Sequence, residues 1–206
     1  MLILSSVQFK PNFARCQADV INNFRLCEPL IHEVWKTGSQ LVVFPELFLT
    51  GYTFLSPEEA AMVAEKHDGP TFRAMKNLAI ELNSYVAYGY VESHNGYLYN
   101  SSVTIDHGGN VVSRYRKVNL WGNDFLWAKS GDLPPEVAET EFGTLSTIIC
   151  RDIKAKIPGN IPRTASSKPF FEGTSPQFYC GLYKLGVRAA FHQQPGWILP
   201  STITAH

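Results

Sequence analysis

The stretch that decides the fold is Leu41-Val42-Val43-Phe44-Pro45-Glu46, an apolar and partly β-branched run that ends in a carboxylate. Two later runs have the same form: Val111–Lys117 ends in an amine, and Thr144–Cys150 ends in a thiol. Runs of this kind predict buried strands. We expect the three terminal side chains to converge at one edge of a sheet. A base, a cation and a nucleophile are the groups needed for covalent attack on a carbonyl or nitrile carbon.

Working outward, strands and helices alternate around these runs. Residues 2–9 predict a first strand, and apolar residues at steps of three and four from Phe13 to Trp35 predict a helix, which Pro29 should kink or break. Ser56-Pro57-Glu58-Glu59 is typical of a helix start.

Later segments complete the pattern. Residues 72–82 predict another helix and residues 85–91 a strand, and Asp106–Asn110 predicts a hairpin turn between two strands. Residues 119–136 are predicted to form a loop. The order predicts a mixed α/β sheet with helices on one face. Residues 153–206 are rich in proline and predict no core element.

Composition excludes several classes of function. The chain has 18 basic and 18 acidic residues, so no positive field favours a nucleic acid or an acidic membrane surface. No apolar run reaches 18 residues, and the first residues resemble a strand rather than a signal peptide. The four cysteines lack zinc-like or C-x-x-C spacing, which favours a reducing, cytoplasmic location. With no histidine pair at ligand spacing and no phosphate-binding glycine loop, we expect no metal and no organic cofactor.

The three residues that end these runs can act in catalysis, or they can have only a structural role. Free cysteine titrates near ~8.5, so Cys150 needs help to become a thiolate. Glu46 can accept the proton, Lys117 can stabilise the oxyanion, and the backbone N–H of Arg151 can point at the same oxyanion. However, a single cysteine at a strand end is usually a small buried hydrophobe, and a single Glu or Lys there is usually solvated. A Cys–His pair is a further alternative.

Three segments resemble the motifs of one known family. Leu41–Tyr52 resembles the glutamate motif of the nitrilase (carbon–nitrogen hydrolase) superfamily, Tyr115–Gly122 resembles its lysine motif, and Ile148–Asp152 resembles its cysteine motif. Tyr99-Asn100-Ser101-Ser102 is similar to a recurrent segment between the first two motifs. The motifs appear in the order of the family and at about its separations.

The resemblance implies an α-β-β-α sandwich that pairs into a homodimer, with residues 1–152 as the hydrolase core. It implies hydrolysis of a small amide or nitrile through a thioester or thioimidate on Cys150, with Glu46 as general base and Lys117 as oxyanion stabiliser. Asp124 lies nearest to a further acidic position of the family, where it either orients the substrate or is an ordinary loop acid. Tyr52 and Trp121 either line the mouth of the site or only pack there.

The chain also departs from the family pattern. Arg151 replaces an aromatic residue after the cysteine, and residues 154–159 replace the expected start of a helix. Residues 153–206 are shorter than the corresponding part of the family, so the sandwich is predicted to be incomplete in its C-terminal third. The alternative function is therefore a catalytically weak or inactive subunit with a binding or assembly role.

Overall fold

A computed structural model describes residues 2–132, 135–153, 179–181, 187–191 and 202–204 of the 206-residue chain. The strands are β1 (Leu4–Gln8), β2 (Leu41–Val43), β3 (Tyr85–His94), β4 (Tyr97–Ile105), β5 (Val111–Arg116), β6 (Val137–Thr140), β7 (Gly143–Ile149), β8 (Tyr179–Gly181), β9 (Val187–Phe191) and β10 (Thr202–Thr204). The helices are α1 (Gln17–Trp35), α2 (Pro57–Ala61), α3 (Pro70–Leu82) and α4 (Asp124–Trp127), and a 3₁₀ turn spans Cys150–Ile153.

The strands form two sheets. The larger has the order β10-β1-β2-β3-β4-β5, parallel from β10 to β3 and antiparallel from β3 to β5. The predicted mixed sheet and the predicted hairpin between β4 and β5 are thereby confirmed. The smaller sheet is antiparallel and has the order β6-β7-β9-β8.

Alternate residues of the central strands face different layers, because successive side chains of a strand point to opposite faces. On one face, Val42 and Val86 share a hydrophobic cluster with buried residues of α1 and α3. On the other face, Val43 and Ala87 share a cluster with Leu145 of β7. The described residues thus supply three layers of the expected sandwich: helices, the large sheet and the small sheet.

Pro29 does not break the first helix, because α1 continues through it to Trp35. That the proline kinks the helix stays a prediction. A proline inside a helix removes one hydrogen bond and costs ~3 kcal/mol. Cys27, Leu30 and Ile31, on both sides of the proline, are buried against the sheet. The packing on each side therefore stabilises both halves of the helix.

Two smaller expectations also change. Residues 119–136 are not all loop, because α4 forms one turn within them. Trp127 fixes this turn by packing its ring edge-on against Phe54, with 5.5 Å between the ring centroids. The apolar stripe from Phe13 to Trp35 predicts that Cys16 and Cys27 lie in the core. Cys16 is only half-buried just before α1, whereas Cys27 is fully buried as expected.

Most of residues 153–206 lies outside the described residues. The proline content of this segment also predicts that it is the least ordered part of the chain. That prediction concerns mainly residues outside the described ones. The backbone of β8, β9 and β10 falls in this range, where the sequence pattern had indicated no core element. The boundary at residue 152 and the self-association of the chain stay predictions. Among the described residues, no helix has the length and apolar character needed to cross a membrane.

Candidate active site

Glu46 lies in a buried turn beyond the carboxyl end of β2. The pairing with β3 continues past β2, since Gly89 N–H donates to the carbonyl of Pro45 over 3.3 Å. The chain then turns at Leu47, which has a left-handed backbone with φ of 49° and is itself buried. Glu46 is only 1% exposed. A non-glycine residue with positive φ is uncommon and is held by its surroundings, here by the burial of Leu47.

Lys117 lies directly after β5, at the same edge of the sheet as Glu46. The two antiparallel steps from β3 to β5 make β5 run in the direction of β2, so both carboxyl ends meet at one edge. Lys117 N–H donates to the carbonyl of Asn100 over 2.8 Å, and Gly131 N–H donates to the carbonyl of Lys117 over 2.8 Å. These bonds fix the backbone on both sides of the lysine.

Two glycines allow the backbone to come this close. A Cβ added at Gly89 would lie 2.9 Å from Cα of Glu46, and one added at Gly131 would lie 2.1 Å from the carbonyl oxygen of Arg116. Both contacts are with backbone atoms, which cannot rotate away. The positions of Glu46 and Lys117 therefore depend on glycines that sequence patterns alone did not single out.

The side chains of Glu46, Lys117 and Asp124 form a buried charged cluster. Lys117 Nζ donates to Glu46 Oε1 over 2.9 Å and to Asp124 Oδ2 over 2.5 Å, and all three side chains are almost completely buried. Burial alone would lower the pKa of Lys117, but the two carboxylates outweigh it and raise that pKa above its ordinary value. The lysine therefore remains an ammonium ion, with two of its three donors used by described residues.

Two further side chains hold the carboxylate of Glu46. Asn100 Nδ2 donates to Glu46 Oε1 over 2.6 Å and also reaches Asp124 Oδ1 at 3.3 Å, and Tyr52 Oη donates to Glu46 Oε2 over 2.9 Å. Burial raises the pKa of Glu46 in spite of the nearby ammonium. Tyr52 was expected at the site, but no role was expected for Asn100. Asn100 lies in a segment that resembles a family motif, on β4, which pairs with the strand that ends at Lys117. These two features could have suggested a role at the site.

Cys150 lies at the junction between β7 and the 3₁₀ turn. Its backbone is left-handed, with φ of 49°, and its side chain is half-buried. The backbone N–H of Arg151 lies close enough to the sulfur to favour its thiolate form. Burial and the charge of Glu46 raise the pKa of the thiol, while Lys117 and the Arg151 N–H oppose this. The resting group is therefore a thiol, and it lies within electrostatic reach of the buried cluster.

Asp152 ties the cysteine turn to the segment that carries Lys117. The carboxylate is 1% exposed and accepts from Tyr115 Oη at 2.5 Å and from the backbone N–H of Val118 and Asn119 at 3.1 and 2.7 Å. Asn119 Nδ2 adds a fourth bond of 2.7 Å. One carboxylate therefore sets the distance between the two loops. Asp152 was part of the quoted motif, but the sequence did not indicate this role.

We expect Asp152→Asn to lower stability by ~1–3 kcal/mol, because an amide N–H₂ would face donors that then lose their acceptor. Any catalytic turnover should fall mainly in kcat, since the thiol and the ammonium would move apart. Denaturant unfolding and steady-state kinetics measure the two effects.

Asp132→Asn is the matched control for this change. Asp132 also pairs with a neighbouring side chain, Arg116 at 3.0 Å, but its side chain is 53% exposed. Exposed pairs contribute less than ~1 kcal/mol. Equal losses in the two variants would contradict the role given to Asp152.

Arg151 and Trp121 form the rim of the site. The guanidinium carbon of Arg151 lies 4.3 Å from the centroid of the Trp121 ring, and both side chains are exposed. The backbone N–H of Trp121 donates to Asp124 Oδ2 over 3.1 Å, which joins the rim to the buried cluster. The structure thus places five of the seven expected residues in or beside the cluster and two at its edge. Among the described residues, no group of three or more His, Cys, Asp or Glu side chains could hold a metal ion.

The sequence matches the carbon–nitrogen hydrolase family over residues 3–156. The chain belongs to the carbon–nitrogen hydrolase family. It is 36% identical to a nitrilase of Pyrococcus abyssi over 131 residues, which are 63% of this chain and 50% of the relative. It is 33% identical to a probable nitrilase of Schizosaccharomyces pombe over 159 residues, which cover 72% of this chain and 54% of the relative.

Solved structures share the fold of this chain. An N-terminal amidase has a TM-score of 0.61 at 24% identity, covering 72% of this chain and 40% of that chain. The NitN amidase from Neterenkonia sp. AN1 has a TM-score of 0.60 at 22% identity, covering 72% of this chain and 58% of that chain. The chain spans about half the length of the curated relatives it matches, 50% and 54% for the two nitrilases. The fold is therefore that of the nitrilase type expected from the sequence.

Proposed function

We propose that the protein is a thiol hydrolase that cleaves the carbon–nitrogen bond of a small amide or nitrile. The observation that supports this most directly is the ammonium of Lys117, buried between Glu46 and Asp124, with Cys150 within reach of its charge. A buried ion cluster of this kind costs desolvation energy and is weak evidence for stability. Its location beside a thiol favours a catalytic role.

In the first half of the proposed reaction, Glu46 accepts the proton of the Cys150 thiol as the sulfur attacks the carbonyl carbon. The oxyanion that forms accepts hydrogen bonds from the free donor of Lys117 and the N–H of Arg151. The intermediate collapses, the carbon–nitrogen bond breaks, and Glu46 returns its proton to the leaving nitrogen. A primary amide releases ammonia and leaves a thioester on Cys150. A nitrile takes up the thiol and its proton to give a thioimidate; one water molecule then adds to the thioimidate carbon, ammonia leaves, and the same thioester remains.

In the second half, water replaces the leaving group. The water oxygen attacks the thioester carbon while Glu46 accepts a proton from the water. Lys117 and the N–H of Arg151 again donate to the oxyanion that forms. The carbon–sulfur bond breaks, the thiol regains its proton from Glu46, and a carboxylic acid leaves. One carboxylate serves both halves because its three hydrogen-bond partners, Tyr52, Asn100 and Lys117, fix its position.

Ammonia release from a panel of small primary amides and nitriles tests this function. We expect turnover with at least one class, and an acid quench during turnover should leave an acyl adduct on the peptide that contains Cys150. Mass spectrometry detects the adduct. A folded protein that releases no ammonia and forms no adduct would contradict the proposal and favour the inactive binding subunit.

We further propose that the protein forms a homodimer. Large apolar side chains are exposed on the surface, among them Leu55, Met62 and Phe125 at 64%, 59% and 70%. Exposed apolar side chains that form a contiguous patch commonly mark an interface. Light scattering measures the oligomeric state directly, and a monodisperse monomer would contradict this part of the proposal.

A further inference from the structure

The rim of the site carries an exposed positive charge in a fixed position. Arg151 follows Cys150 directly in the chain, and its backbone N–H lies near the sulfur. Its side chain extends to the exposed ring of Trp121, with 4.3 Å from the guanidinium carbon to the ring centroid. The cation is therefore tied to the nucleophile by one peptide bond and held by an aromatic face.

The aromatic partner is itself anchored to the interior. The backbone N–H of Trp121 donates to Asp124 Oδ2, and the same oxygen accepts from Lys117 Nζ. The contacts run from the cysteine through Arg151 and Trp121 to the buried ammonium. The guanidinium thus lies at the border between the cluster and solvent.

Arg151 has no carboxylate within ion-pair distance among the described residues, in contrast to Arg116. Arg116 is paired with Glu92 at 2.7 Å and with Asp132 at 3.0 Å. A guanidinium stacked on a ring leaves its in-plane N–H groups available. Those groups match the geometry of a carboxylate and can bind it with two parallel hydrogen bonds.

We infer that Arg151 binds an anionic group on the acyl part of the substrate, so that the preferred substrates are amides that carry a carboxylate. This inference rests on the proposed function and adds the substrate class. The nitrilase pattern has an aromatic residue at this position, so this cation is a feature of the present chain. The charge inside the site does not supply the same selectivity, since Glu46 and Asp124 outnumber Lys117 there.

Matched amides that differ only in their terminal group test the inference. Succinamate, glutaramate and adipamate end in a carboxylate, while butanamide, pentanamide and hexanamide have the same numbers of carbons and no charge. We expect kcat/KM for the best carboxylate to exceed that of its neutral match by about 10- to 100-fold, as a charged hydrogen-bonded contact provides. The ratio should shrink as salt is added.

Variants assign this preference to the side chain. The ratio should fall to about one in Arg151→Gln, mainly through KM, and should be partly kept in Arg151→Lys. In Arg151→Glu, kcat/KM for an amide that ends in an ammonium group should rise relative to kcat/KM for its neutral match. Arg25→Gln removes an equal charge from the exposed face of α1 and should leave the ratio as in the parent protein.

Two negative results are distinguishable. If amides are hydrolysed but the parent protein does not favour the carboxylates, or if Arg151→Gln keeps the preference, this inference is wrong and the proposed function stands. If neither amides nor nitriles are hydrolysed, the proposed function fails, and calorimetry with glutaramate and pentanamide decides the inference. Tighter binding of glutaramate that is lost in Arg151→Gln supports the anion site, and equal or absent binding overturns it.

Discussion

Replacing Cys150 with alanine is expected to abolish turnover and leave the fold nearly unchanged. In the proposed mechanism the sulfur forms the only covalent bond with the substrate, and loss of a nucleophile lowers kcat by about 10⁶-fold. The side chain is half-buried and belongs to the edge of a small cluster, so removing one sulfur atom leaves only a small space. Ammonia release measures the first effect, and thermal unfolding measures the second.

Cys16→Ala is the matched control for this change. Cys16 is also a free, half-buried cysteine, but it lies just before α1 and outside the charged cluster. Activity should be kept in this variant, and its unfolding should resemble that of Cys150→Ala. Turnover that persists in Cys150→Ala would rule out covalent thiol catalysis by this residue.

The sequence predicted the site well where local pattern and strand direction determine position. Glu46 and Lys117 follow strands that point the same way, so they meet at one edge whatever the details of the loops. The hairpin between β4 and β5 was equally accessible, because its turn residues lie next to each other in the chain. Such features depend on contacts between near neighbours or on a simple rule of sheet geometry.

The parts that were missed depend on contacts between distant segments. Asn100 and Asp152 are ordinary polar residues in a sequence, and their importance comes from partners brought to them by the fold, such as Glu46 54 positions away and Tyr115 37 positions away. Gly89 matters because another backbone passes against it. None of these contacts leaves a periodic signal. The sequence pattern did not predict β10 for the same reason, because β10 pairs with β1, which is distant from it in the chain.

Pro29 shows the opposite error, in which a local rule was applied where tertiary packing decides. The proline removes one helical hydrogen bond, but buried residues on both sides hold the helix to the sheet. Local propensity is a weak prior when an entire amphipathic face is buried. Glu46 illustrates the same point, because its burial, which local sequence does not reveal, raises its pKa.

Glu46→Gln is expected to lower kcat by ~10²–10⁴-fold, the usual contribution of a positioned general base. The structure gives two reasons for a large effect. Burial raises the pKa of the Cys150 thiol, so the thiol is mostly protonated at neutral pH and needs a base during attack. Glutamine has the shape of glutamate and cannot accept that proton. The variant should stay folded, because Lys117 keeps Asp124 as a buried counterion.

The dependence of this effect on pH separates a base from a merely structural group. Burial raises the pKa of Glu46, so activity of the parent protein should rise with pH through a midpoint above the ordinary value of ~4.3, as the carboxyl loses its proton. In Glu46→Gln this acid limb, the rise in activity as Glu46 loses its proton, should vanish. The small remaining activity should increase toward alkaline pH as the thiol ionises. Glu81→Gln, on the exposed face of α3, should keep the profile of the parent protein. An unchanged acid limb in Glu46→Gln would show that a different group accepts the proton, because a residue that cannot titrate cannot produce it.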